Sequence, residues 1–381
     1  MINSISLKQR KLVLVILSFV ALVLGKIAVV YILPTKYYYD NLRINSMVVG
    51  SGSMKAWGGS YVVAANIFRS INYLGLTTMY EWSLVLGVLL TTAIVVFLFF
   101  KSELSLLQEL FWLACIVLLN IYIFTIGKDV IQFFFFYLVL LAILIPNVSI
   151  GMRVSLVAII FIIEGLSFRS YFMLVAVFFI GIHFLLKYFH SKMDKVSILQ
   201  LALTVVVFVY FFLIVSSIVF PAEYQSIVGS RANANSAREG SADAKSAIIN
   251  LIPGNGLLIS LINYPISAIR MMIPIELLFR GVSYIPFIIF QILITVFYLR
   301  IIVAFVMKPY IKTEYILSFE VFTAFLLVSF FFEPDFGSWV RHEMAAFPVF
   351  QSFVFSSYCG LDKMQKTKRF ETRIAVQRRG I

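Results

Sequence analysis

Apolar runs long enough to cross a bilayer recur from one end of this chain to the other, and they leave few choices of fold. A helical span needs about 20 consecutive apolar residues. The runs are continuous and do not alternate, which excludes a closed barrel. With 61% of its 381 residues hydrophobic and a mean hydropathy of +0.99, the chain has more apolar surface than a soluble core can cover. It is therefore expected to be an all-α polytopic integral membrane protein. A net charge of +13 would suggest nucleic acid in a soluble protein. Here basic ends on the cytoplasmic side account for it, and no nucleic-acid partner is expected. Cys115 and Cys359 give neither a disulfide framework nor a metal-ligand spacing.

Reading the basic residues along the chain sets the expected topology. Lys8, Arg10 and Lys11 precede the run 12–33, so the N-terminus stays inside and this run is a first span, not a removed signal. Further spans are expected at 82–100, 108–126 and 130–145. The block 154–189 would be about 54 Å long as one helix, so it must break, and Phe168-Arg169-Ser170 is the polar place for a turn. Spans at 197–220, 283–305, 316–332 and 344–358 follow. The apolar segment 257–279 carries Asn263, Pro265, Arg270, Pro274 and Glu276 and is expected to be interfacial or re-entrant. About ten spans with both termini cytoplasmic result. Residues 1–360 form one transmembrane domain, with outer loops 34–81 and 221–281, and 361–381 is a basic cytoplasmic tail facing anionic lipid. Helical spacing of apolar residues in the later part of 34–81 predicts short interfacial helices there.

Sorting the charges by this topology locates the candidate chemistry. Outer segments should be poor in cations, yet they hold Arg43, Arg169, Arg231, Arg238, Arg270, Arg280 and Arg341. Arg231 and Arg238 lie in the polar island 230–245, about two helical turns apart and so on one face of a helix. Arg169 and Arg341 occupy short turns at membrane depth, where an unpaired cation is expensive. Two readings are open. The arginines pair with Glu333, Asp335, Glu343, Asp129 and Asp40 to hold loops, or they form an anion site for phosphate or pyrophosphate. The densest cluster, 333–343, adds carboxylates, an imidazole and an indole. His342, Glu343 and Asp335 are candidate general bases there, and Trp339 is a candidate platform for a sugar ring. Lys26, Glu164 and Glu320 are charges within spans. No Walker loop, GxGxxG, DxD or HExxH occurs, so neither a nucleotide cofactor nor a metal is expected. Arg270 and Gly281 match an R-x10-G spacing that chance readily supplies.

YYYDNLRINSM, GGSYVVAANIF and the span beginning EWS resemble the first outer loop of bacterial Wzy-type and EpsG-like polymerases of capsule and exopolysaccharide repeat units. GKDVIQFFFFYL, EGLSFRSYFML and GSWVRHEMAAFPVF are similar to segments of the same group. The resemblance implies a GT-C-like fold in the bacterial cytoplasmic membrane. It implies a metal-independent enzyme without cofactor, polymerising undecaprenyl-pyrophosphate-linked oligosaccharides, with membrane lipid, a flippase and a chain-length regulator as partners. Carried over by position, Arg169, Arg231, Arg238 and Arg341 would hold pyrophosphate. Asp40, Arg43 and Trp339 are then candidates for the acceptor glycan, and the base stays open among His342, Glu343 and Asp335. Another outer-face glycan transferase or ligase, or a polysaccharide transporter or flippase, would be built from similar parts.

Overall fold

The structure is a computed structural model that describes residues 7–52, 59–100, 104–192, 197–219, 229, 246–252, 254, 256–307 and 311–356. Among these residues no strand forms, and the one β-type pairing is an isolated bridge between Ala247 and Asp335. The helices are α1 (Leu7–Ile27), α2 (Tyr39–Val49), α3 (Ser60–Ile71), α4 (Met79–Val96), α5 (Leu106–Leu118), α6 (Lys128–Leu144) and α7 (Ile150–Ser167). After them come α8 (Phe172–Lys192), α9 (Ile198–Val219), α10 (Leu257–Met272), α11 (Ile285–Val306), α12 (Thr313–Phe332), α13 (Phe336–Ala345) and α14 (Phe347–Val354).

The protein is an all-α polytopic membrane protein, and eight of its described helices are long and apolar enough to cross a membrane. These are eight of the ten expected spans. The other two differ for local reasons. α6 has 17 residues, about 26 Å of helix, slightly under a typical hydrocarbon core. The expected span 344–358 is divided, because α13 ends at Ala345 and α14 restarts with Pro348 in its first turn, where the missing N–H is tolerated. The segment 257–279 forms the 16-residue α10, with Pro265 inside it, and then a 3-10 turn at Ile275–Arg280. The polar break at 168–170 forms where the sequence places it, and α3 forms in the later part of 34–81 as expected, whereas α2, in its earlier part, was not anticipated. The island 230–245 with Arg231 and Arg238, Cys359, and the tail 361–381 lie outside the described residues.

Packing divides the chain into two compact units, Met1–Tyr137 with Met344–Ile381, and Leu138–Glu343. In the first unit α1 packs on α4 and α5, and α2 on α3. Capping boxes at Thr78 and Ser105 start α4 and α5 by satisfying first-turn N–H groups. Polar pins cross the apolar contacts. Trp112 Nε1 donates to Ser18 Oγ at 3.0 Å, and Gln108 Nε2 donates to the carbonyls of Val354 and Ser356 at 2.9 and 3.1 Å. A third pin is Lys26. Its ammonium donates to Ser83 Oγ (2.8 Å) and to the carbonyls of Asn120 (2.8 Å) and Phe124 (3.0 Å). Residues Leu119–Ile123 form a π-helical turn, the kind of irregularity that turns carbonyls out of the regular ladder. Gly87 leaves the room, because a Cβ there would overlap Lys26 and lie 2.8 Å from Asn120 Oδ1.

In the second unit α7 and α8 form a hairpin, and α8 packs along α12. The N–H groups of Phe168 and Arg169 both donate to the carbonyl of Glu164, at 2.8 and 3.0 Å, which closes α7. Close approach is possible because a Cβ on Gly165 would come within 2.6 Å of Met173. Midway along the α8–α12 contact, His183 Nδ1 meets Glu320 Oε2 at 2.9 Å. Phe172 stacks near Phe325 and Phe161, with centroids 6.4 and 5.8 Å apart.

Candidate functional site

The second unit gathers its ionisable side chains where α12 ends. Glu333 precedes Pro334, and a residue before proline is driven out of the helical region. Its backbone is accordingly extended, at φ −66° and ψ 118°. The chain turns there, and Asp335 restarts it as α13, with Oδ1 accepting from the N–H of Ser338 at 2.8 Å. The turn leaves the Glu333 carboxylate wholly buried beneath α13. One carboxylate oxygen accepts from Ser338 Oγ at 2.8 Å, and the other pairs closely with His342 Nδ1.

Arg169, from the α7–α8 turn, completes the arrangement. Its Nη1 lies 3.3 Å from His342 Nε2 and 3.1 Å from the Tyr171 hydroxyl. A guanidinium only donates. Nε2 must therefore accept, which places the ring proton on Nδ1, donated to Glu333. This is the tautomer in which a histidine can take a proton at Nε2 while a carboxylate steadies the cation that forms. The His342 side chain is 15% exposed against 0% for Glu333, so the imidazole is the part of the pair that meets the surroundings. Glu164, in the last turn of α7, lies wholly buried with neither carboxylate oxygen hydrogen-bonded.

The segment leaving the polar island is tied to the same turn. The Ile248 N–H donates to the Pro334 carbonyl at 2.8 Å, beside the Ala247–Asp335 bridge. Arg270 grips Glu276 through two nitrogens at 2.5 and 2.8 Å and also donates to the Ile249 carbonyl. Arg280 donates to the same Glu276 (3.1 Å) and to the Ala247 carbonyl (3.0 Å). These two arginines follow the loop-holding reading.

The structure thus brings together Arg169 and His342, with Asp335 capping the helix that carries the histidine. Glu343 sits on the same helix, fully buried, accepting from Gln291 Nε2 at 3.2 Å. Burial pushes its carboxyl up to about 8, against the smaller opposing effect of Gln291, so it is largely protonated at neutral pH. That is a poor state for a base. Arg341 is half-buried beside His342. Trp339, the expected sugar platform, is instead a core residue with no exposed face, stacked 6.3 Å from Phe325 of α12. In the first unit, Asp40 accepts from Tyr61 at 2.6 Å and pairs with Lys128 at 3.3 Å, and Arg43 donates to the Tyr39 hydroxyl at 2.6 Å. Glu333 is the partner that sequence reasoning left among several acids, and Tyr171 was not singled out. The Glu-Pro pair was the usable signal, since it marks a carboxylate set at a forced turn. Among the described residues no group of three or more His, Cys, Asp or Glu could hold a metal ion.

Comparison of the chain with protein-family models, with curated proteins and with solved structures finds no match.

Proposed function

We propose that this protein is a glycosyltransferase that polymerises oligosaccharide units carried on undecaprenyl pyrophosphate, at the outer face of a bacterial cytoplasmic membrane. The observation that carries the reading is the Glu333–His342–Arg169 arrangement, a base held by a buried carboxylate with a guanidinium at its far nitrogen. Such a transfer needs these two functions together. His342 Nε2 takes the proton from a sugar hydroxyl of the acceptor, and the hydroxyl oxygen attacks the anomeric carbon of the donor. The bond from that carbon to the pyrophosphate breaks, and the pyrophosphate leaves with the electron pair. Arg169 neutralises the charge that develops on it. Glu333 steadies the imidazolium until the proton is lost to solvent. The resemblance of the 34–81 region and of EGLSFRSYFML and GSWVRHEMAAFPVF to repeat-unit polymerases supports the same reading, and the last two segments carry Arg169 and His342.

The test is chain formation by the purified protein in vesicles supplied with lipid-linked repeat units. Chains longer than one unit are expected, with the same rate in the presence of a chelator. Loss of synthesis on chelation, restored by magnesium or manganese, would overturn the metal-independent part. A second reading, a proton-coupled polysaccharide transporter, is favoured by the His183–Glu320 pair, because ionisable pairs placed within spans are typical of proton relays. It requires glycan movement that follows an imposed proton gradient, with no new glycosidic bond.

A further inference from the structure

We propose that Arg169 masks the lone pair of His342, and that a pyrophosphate group engaging Arg169 unmasks it, so that the donor must bind before the acceptor is activated. The inference rests on the reading of His342 as the base and deepens it into an order of events. An imidazole nitrogen in the acceptor state has one lone pair, which lies in the ring plane and accepts one strong hydrogen bond. At Nε2 that bond comes from Arg169 Nη1, 3.3 Å away. The other nitrogen is committed to the buried Glu333, so the ring cannot turn over to present a second lone pair without breaking that contact. As the structure stands, a sugar hydroxyl approaching His342 would find the base already used by a cation.

The mask is a weak one, and this is what makes it removable. Charge-assisted bonds from a guanidinium to an anionic oxygen are usually about 2.7–2.9 Å, shorter and roughly twice as strong as bonds between neutral partners. The contacts of Arg169 to the imidazole and to the phenol are longer than this, and both come from Nη1. A pyrophosphate offers several charged oxygens, and the planar fork suits them better than it suits a single ring nitrogen. Arg169 stands on the turn between α7 and α8, outside both helices, where its half-buried side chain can change partner without moving a span. Exchange of the imidazole for the phosphate oxygens then does two things at once. It puts the cation on the leaving group and returns the lone pair of Nε2 to the site.

The experiment measures acylation of His342 by diethyl pyrocarbonate, which attacks an unshared imidazole lone pair, in the detergent-solubilised full-length protein. Mass spectrometry reads each histidine separately, so His183 and His190 are internal references. Inorganic pyrophosphate is expected to speed modification of His342 roughly tenfold, the factor set by one hydrogen bond to a charged group. Sulfate at equal ionic strength should have a smaller effect. In Arg169→Ala the rate should be high from the start and indifferent to pyrophosphate. An unchanged or slower rate with pyrophosphate in the unaltered protein overturns the proposal, as does an Arg169→Ala protein whose His342 is as slow as before. The first of these comparisons needs no variant, so a poorly folded Arg169→Ala leaves it decisive. The outcome is separable from the functional reading. Polymer synthesis that needs His342, without any pyrophosphate effect on its modification, sinks the mask alone. A clear pyrophosphate effect in a protein that forms no chains sinks the polymerase reading alone.

Discussion

Lys26 and Arg169 are both cations kept among packed helices, one in each unit, and they are held in opposite ways. Lys26 gives its three donors to a hydroxyl and two backbone carbonyls, all within 3.0 Å, and among the described residues it meets no carboxylate. An ammonium has only three hydrogens to give, so nothing remains for a ligand. Arg169 holds an imidazole and a phenol with one nitrogen, at longer range, and shares its surroundings with the buried carboxylates Glu164 and Glu333. The contrast separates architecture from chemistry. A buried charge saturated by its own bundle stabilises one packing, whereas the cation lodged against an imidazole is the one proposed to exchange partners.

The comparison is broken most directly at His342. His342→Ala should lower chain formation by roughly 100- to 10,000-fold, the range usual for loss of a general base, with the protein still present in the membrane at normal abundance. Glu333→Gln keeps the hydrogen bond but not the charge, and should fall between this variant and the parent. A fully active His342→Ala protein would reduce the site to loop architecture. Lys26→Met tests the other side. It leaves carbonyls unsatisfied in a dry interior, and should destabilise the protein by about 2–5 kcal/mol, seen as a lower thermal midpoint in detergent. The rate per folded molecule should stay normal. A large loss of rate with normal stability would make Lys26 a site residue and erase the distinction.

The smallest effect concerns Glu343, on the same helix as His342. Its carboxyl is raised by burial from the ordinary value of 4.5 to about 8 in the folded protein. A raised folded-state value favours the protonated form, so the folded protein binds more protons than the unfolded chain between these limits. The stability associated with Glu343 is full below about pH 4.5 and declines as the pH rises toward 8. Glu343→Gln should flatten stability across that interval. An unchanged slope between pH 5 and 8 would show that Glu343 is ionised where it lies.

Much of this was legible in the chain. The apolar runs, the polar break at 168–170 and the capping residues Thr78 and Ser105 are local signals, and the helices follow them. Arg169 and His342 stood out as well, since a cation in a short turn and a rare histidine in an acidic cluster are both unusual. Their meeting was not legible, because 173 positions separate them and nothing periodic links them. The same is true of Lys26, whose carbonyl partners are exposed by a π-helical turn that side-chain types do not announce.

The sequence by itself determined a helical membrane protein, because only helices and closed barrels pair every backbone group in lipid, and continuous apolar runs exclude the barrel. It also determined where the helices must stop, since proline, glycine and polar clusters act within a few residues of themselves. Tertiary structure alone decided which acid serves His342. Glu333, Asp335 and Glu343 are all carboxylates, but the turn at Pro334 sends one beneath α13 and uses one as its cap, and the third is buried on α13 against Gln291 of α11. The physical reason is that a carboxylate's role depends on the direction and surroundings of its side chain, and these are set by packing between segments far apart in the chain.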